Sequence, residues 1–264
     1  MNTFSWTGSK ETYVDEAFIK SLDEIVIGLY GGNSAAGQYK NEDGCLVWSS
    51  PGEWEFIMIL DGHDTAESVE LVIRTFEKER TDLTTIIEKP GKKAFSRLHD
   101  FIIETFSSDT FKEEAMNVQG ETACLFALRK GKYLWWLSIG DCLLHLFHPE
   151  LSVMGEYQQN HRSFYEWVGK NSTFNHEVPT YSTGIKELRA GENQIFLTTD
   201  GLTECPGTSF HDPKMIMGEF TSVSLEGGVR HLIGEIQRNN VRDSTTIITW
   251  KVGIEGDSTL PSDF

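Results

Sequence analysis

The chain has 264 residues, 39% of them hydrophobic and 11% aromatic, which suffices for a substantial buried core. Its net charge of −17 would repel a phosphate backbone, which excludes nucleic acid as a primary partner. No apolar run approaches the roughly 20 residues of a membrane helix, and the opening residues lack a basic-then-apolar signal pattern.

Strand-like runs rich in Val, Ile, Phe, Trp and Thr dominate. In chain order they fall at 24–30, 45–49, 53–60, 122–128, 132–139, 142–148, 194–199 and 245–252. Helical spacing appears at 66–80, where Val69, Val72, Ile73 and Phe76 align, and at 93–106, where Phe95, Leu98, Ile102 and Phe106 align. A third helix is expected at 225–238. Two adjacent helices set among many strands imply sheets covered by helices. Residues 150–192 read as a long, partly irregular segment, the kind that carries function. Its Phe164, Tyr165 and Trp167 read as local packing. The chain is expected to be one domain over 1–253, monomeric, with a loose polar tail at 254–264. Cys45, Cys124, Cys142 and Cys205 form no CxxC pair. They read as reduced thiols of a cytoplasmic protein rather than as a zinc site.

The acids fall at strand ends. The run at 53–60 leads into Asp61-Gly62-His63-Asp64, the run at 132–139 into Asp141, and the run at 194–199 into Asp200. Glu42 and Asp43 precede one strand, and Asp243 precedes another. The short link Ser50-Pro51-Gly52 signals a hairpin, which sets Asp43 beside Asp61. Antiparallel pairing of the last two strands would likewise set Asp243 beside Asp200. Carboxylates gathered at one rim repel each other unless a cation sits among them. Hard oxygen donors, without Cys and with little His, point to Mg²⁺ or Mn²⁺. Gly62 would let its carbonyl approach such an ion.

In order and spacing, Asn41-Glu42-Asp43, Asp61-Gly62-His63, Gly120-Glu121-Thr122-Ala123, Ile139-Gly140-Asp141, Thr199-Asp200-Gly201-Leu202 and Asp243-Ser244-Thr245-Thr246-Ile247-Ile248 resemble the type 2C, metal-dependent serine/threonine protein phosphatases. The resemblance implies an α+β fold, a four-layer αββα sandwich of two mainly antiparallel sheets flanked by helices. It implies two Mn²⁺ or Mg²⁺ ions, with a third as an option. By matching position, Asp61 would bridge both metals, Asp200 and Asp243 would complete one shell, and Glu42 with the Gly62 carbonyl would serve the other. Asp43 would orient metal-bound water, and Asp141 matches a third-metal ligand. His63 would be the general acid for the leaving oxygen.

Some positions depart from that pattern. Gln38 stands where an arginine commonly grips substrate phosphate, and a neutral amide cannot make that charged bidentate contact. Weak phosphate binding, or another source of positive charge, is therefore expected, with Lys40 nearby. Asp64 is expected to cap the following helix. Glu204 stands where an aspartate is usual, and Glu121 is unusual in its motif. Cys142 and Cys205 each follow close on an acid and read as buried small apolar residues. The implied activity is hydrolysis of phosphoserine and phosphothreonine in phosphorylated proteins. The alternatives are a non-catalytic phosphatase-fold module for binding or sensing, and a hydrolase of small phosphate esters.

Overall fold

The computed structural model describes residues 1–256 and 258–260. The chain opens with β1 (Asn2–Thr7), β2 (Ala17–Leu22), β3 (Ile25–Tyr30), β4 (Gly44–Ser50) and β5 (Trp54–His63). Four helices follow: α1 (Glu67–Lys78), α2 (Arg80–Ile87), α3 (Gly91–Ser107) and α4 (Asp109–Ala115). Next come β6 (Glu121–Lys130), β7 (Tyr133–Ile139), β8 (Leu143–Phe147), α5 (Pro149–Val153), β9 (Val168–Gly169), β10 (Ser182–Glu187) and β11 (Gly191–Thr198). Helices α6 (Pro213–Gly218) and α7 (Leu225–Arg238) precede β12 (Thr245–Ile254).

The strands form two antiparallel sheets. One runs β1-β4-β5-β6-β7-β10, with β9 added to β6, and the other runs β2-β3-β12-β11-β8. Side chains alternate across a strand, so each sheet offers two faces. On β5, Ile57 and Ile59 point into the core between the sheets, joined there by Val47, Leu125, Leu144, Leu197, Ile248 and Trp250. Phe56, Met58 and Leu60 point outward and bury Val72, Phe76, Leu98 and Ile102 of α1 and α3. On the other sheet, Val26, Phe196 and Ile247 pack under Val229, Leu232, Ile233 and Ile236 of α7. The result is the expected αββα order of layers. Burial on both faces also explains why residues 56–60 of β5 read as an unbroken apolar run.

All eight expected strands and all three expected helices are present. Strands β1, β2 and β10 lacked a strong apolar signature because they are edge strands with polar, half-exposed faces. Segment 150–192 is partly irregular, as expected, and is pinned by a buried asparagine. Asn160 accepts from Leu144 N–H at 2.8 Å and donates to the Ser138 hydroxyl and the Cys142 carbonyl. Phe164 and Tyr165 are exposed rather than packed, while Trp167 is half-buried. Of the expected tail, residues 257 and 261–264 lie outside the described residues. Thr259 is hydrogen-bonded to Arg189 at 2.8 Å and to Glu187 at 2.7 Å. All four cysteines are free and buried, Cys142 and Cys205 among them. Among the described residues, no helix is long and apolar enough to cross a membrane.

Candidate active site

Register brings the acids together. The β4–β5 hairpin pairs Gly44 with Leu60, so the next residues outward, Asp43 and Asp61, stand side by side. Strand β5 continues through the acid: Asp61 pairs with Ala123, Gly62 with Thr122 and His63 with Glu121. Asp61 therefore keeps the inward parity of Ile57 and Ile59 and enters the edge of the core. Strands β11 and β12 are antiparallel with Thr198 opposite Ile247, which carries Asp200 and Asp243 to the same rim. Asp141 follows the end of β7.

Carboxyl oxygens of Asp61, Asp141 and Asp200 lie within 4.8 Å of one another. Oδ2 of Asp61 and Oδ1 of Asp141 are buried without a hydrogen-bond partner among the described residues. Burial pushes Asp61 well above the usual carboxylate range, and Asp200, Asp43, Asp243 and Asp141 add to the push. Asp200 is raised to about 6, by burial and then by Asp141 and Glu204. Asp243 keeps an exposed edge, yet the protein packed around its carboxyl, then Asp200, raises it to about 6 as well. Asp141 is raised by burial, with His63 and Arg162 pulling the other way. Unpartnered buried carboxyl oxygens this close fit a hard divalent cation, which would remove the repulsion and occupy the open lone pairs.

Asp43 is held by two hydroxyls. Its Oδ2 accepts from Thr199, just past the end of β11, at 3.0 Å and from Thr246 of β12 at 2.8 Å. Burial raises its carboxyl well above the usual range despite the Thr246 bond. Glu42 is nearly buried and pairs with the Lys40 ammonium, which also donates to the Asp64 carbonyl at 2.5 Å. Lys40, Glu42, Gly62, His63 and Asp243 line a cleft of about 320 Å³ together with Gln38 and Arg242. His63 is exposed, and its ring lies 4.4 Å from the ring of Trp167.

Some expectations are corrected here. Asp64 does not cap α1: its residue has φ 74° and its carboxylate accepts from Gln119 at 2.9 Å. The hydroxyl of Thr65 instead accepts from Glu67 N–H at 3.3 Å. Gly62 has a packing reason independent of any ion, because a Cβ there would meet the Glu42 carbonyl oxygen at 2.5 Å. Glu204 pairs with Arg162 at 2.8 Å, and the same guanidinium stands 3.6 Å from Asp200. Glu121 accepts from Asn171, which ties the strand opposite His63 to the irregular segment.

No protein-family model matches the chain, and no curated protein sequence does. Solved structures do match it. A bacterial serine phosphatase aligns with 89% of this chain and 99% of its own at TM-score 0.65 and 17% identity. RsbX, solved with magnesium, aligns with 89% of this chain and 100% of its own at 0.58 and 12%. The catalytic domain of PstP, solved with 2 manganese ions, aligns with 95% and 97% at 0.56 and 16%. The chain has the fold of the PPM-type bacterial serine/threonine phosphatases. At these identities the likeness is one of fold, and the chemistry must be argued from the side chains.

Arg162 and Arg242 bore no signal beyond a basic residue in irregular text, and only the folded chain brings them to the acids. Thr199 and Thr246 did carry one, since each lies close to an acid inside a motif.

Proposed function

We propose that the chain is a metal-dependent phosphomonoesterase that hydrolyses phosphoserine and phosphothreonine in proteins. The observation that carries this reading is the cluster of Asp61, Asp141 and Asp200 at one end of a phosphatase-fold sandwich, in which Asp61 and Asp141 are buried and each keeps an oxygen without a hydrogen-bond partner among the described residues. Mn²⁺ and Mg²⁺ are the candidate ions, as oxygen donors favour them and fold relatives were solved with magnesium and with manganese. Asp61, Asp200 and Asp243 would hold one ion and Asp61, Glu42 and the Gly62 carbonyl another, with Asp141 available to a third. When bound, the ions supply charge for the phosphate oxygens and lower the pKa of water.

The chain's own groups account for the remaining needs of the reaction. A water oxygen bonds to phosphorus as the ester P–O bond breaks, and the departing serine or threonine oxygen needs a proton. His63 is the exposed titratable donor beside the cluster, and Trp167 steadies its ring. Asp43 keeps Oδ2 on the two threonines, which leaves Oδ1 to accept from a water and orient it. The Lys40 ammonium pairs with the Glu42 carboxylate from outside, so an ion held by Glu42 would compete with it. Cys142, beside the cluster, is buried and its thiol is pushed well up, so it is no nucleophile. The four buried free thiols support a cytoplasmic, reducing setting.

A second reading, a binding module that has lost turnover, draws on Gln38, which is buried and lines the cleft with no charge. One assay separates the two. Protein stripped with a chelator is given phosphoserine and phosphothreonine peptides, with and without Mn²⁺ or Mg²⁺. Phosphate release that returns with metal supports the enzyme. Folded, metal-loaded protein that releases none supports the module.

A further inference from the structure

The cleft lacks a charge at position 38, and a phosphomonoester dianion needs one. Two cationic side chains line the same 320 Å³ cleft, Lys40 and Arg242. They are not equivalent. The Lys40 ammonium is committed to Glu42 and to the Asp64 carbonyl. Arg242 is exposed and makes no ion pair or side-chain hydrogen bond among the described residues.

The backbone sets Arg242 next to Gln38. Asn33 N–H donates to the Val241 carbonyl at 2.8 Å, and the Asn33 carbonyl accepts from Gln38 N–H at 3.1 Å. Gly32 is wedged between the two: a Cβ on it would meet the Arg242 carbonyl oxygen at 2.2 Å and Gln38 Cγ at 3.0 Å. With φ +81° and no side chain, this glycine lets the segment before β12 close against the loop that carries Gln38.

We infer that Arg242 is the phosphate-gripping residue of this chain, with its guanidinium entering the cleft from beside Gln38 to clamp the substrate's phosphoryl oxygens in place of a cation at position 38. A guanidinium suits the task because its planar fork meets two phosphate oxygens at once and stays charged at every working pH. Gln38, buried in the same wall, adds a neutral amide donor. This inference rests on the phosphatase reading for its substrate, but phosphate binding can be measured without turnover.

The test is calorimetric titration of manganese-loaded protein with inorganic phosphate, for wild type, Arg242→Gln and the double variant Gln38→Arg/Arg242→Gln, with bound manganese counted in each. The Arg242→Gln variant should bind phosphate about tenfold or more weakly, the loss expected for one charge-assisted contact. Its manganese content should be unchanged, and Gln38→Arg should restore the affinity. In peptide hydrolysis the same change should fall mainly on KM. Unchanged phosphate affinity in Arg242→Gln overturns the assignment, as does loss of phosphate and manganese together, which would mean that the residue acts through Asp243. Wild-type protein that binds phosphate through Arg242 yet hydrolyses no peptide would overturn the phosphatase reading while leaving this inference standing.

Discussion

Strand β5 carries two inward-facing carboxylates, Glu55 near its start and Asp61 near its end, and their surroundings are opposite. Glu55 is met by the guanidinium of Arg129, which also donates to the Glu53 carbonyl at 3.1 Å, while Trp250 Nε1 donates to Glu55 at 3.1 Å. Asp61 is met by four more carboxyl groups and has a buried oxygen with no partner. The same strand, parity and degree of burial thus give a closed ion pair at one end and an open concentration of negative charge at the other. Folding has neutralised the first. The second stays costly in the bare chain, which is what a site kept for a cation looks like.

The contrast can be broken most severely at Asp61. Asp61→Asn should lower metal-dependent peptide hydrolysis on the order of 10³-fold, since it removes the shared ligand. The same change should raise the melting temperature of chelated protein by relieving repulsion. Unchanged turnover would contradict the first outcome, and a lower melting temperature the second. At the closed end, Arg129→Met should destabilise by about 3–5 kcal/mol in denaturant titration, because it leaves Glu55 buried and unpaired. A destabilisation below about 1 kcal/mol would mean that this pair is solvated like a surface bridge.

His63→Gln should reduce turnover of phosphoserine peptide about 10²-fold and that of an aryl phosphate much less, since phenolate departs without a proton. Equal losses on both would count against a proton-donating role. The pH dependence carries the contrast into stability. The folded values of Asp200 and Asp243 sit at about 6, above the unfolded aspartate range near 3.9, so between these limits the native state holds more protons. Their stabilising contribution is complete below the unfolded value and is lost as pH rises through about 6. Chelated wild type should therefore lose melting temperature relative to Asp200→Asn between pH 4 and pH 7, and excess Mn²⁺ should abolish that gap. A gap that does not change with pH would speak against the raised carboxyls. The smallest expected effect is at Lys40. Lys40→Met removes the ammonium that competes for Glu42 and should tighten Mn²⁺ binding by roughly threefold to fivefold, the scale of an exposed ion pair. Weaker binding would make Lys40 a support of the site rather than a competitor.

Much of this arrangement was legible in the residues. β5 announced itself by apolar text because helices and a second sheet cover both its faces, and the hairpin at Ser50-Pro51-Gly52 fixed Asp43 against Asp61 through local register alone. The acids at strand ends were visible for the same reason: period 2 carries their parity. Edge strands such as β2 and β10 were not legible, as half-exposed polar faces blur the alternation. Nor were the roles of side chains that act across the fold. Asp64 was expected at a helix cap, yet a positive φ and Gln119 turn it away. Arg162 meets Glu204, 42 residues on, because β8 pairs with β11, and Arg242 meets the Gln38 loop because β3 pairs with β12. Local periodicity encodes which face a side chain takes, whereas contacts between distant loops depend on which strands become neighbours in a sheet.

The most direct measurement is a count of manganese ions retained by the protein after stripping and equilibrium dialysis, for wild type and Asp61→Asn. An open cluster reserved for cations predicts at least two ions in wild type and loss of that stoichiometry in Asp61→Asn, with the fold intact by circular dichroism. Wild-type protein that retains no manganese, or Asp61→Asn that retains as much as wild type, would contradict it.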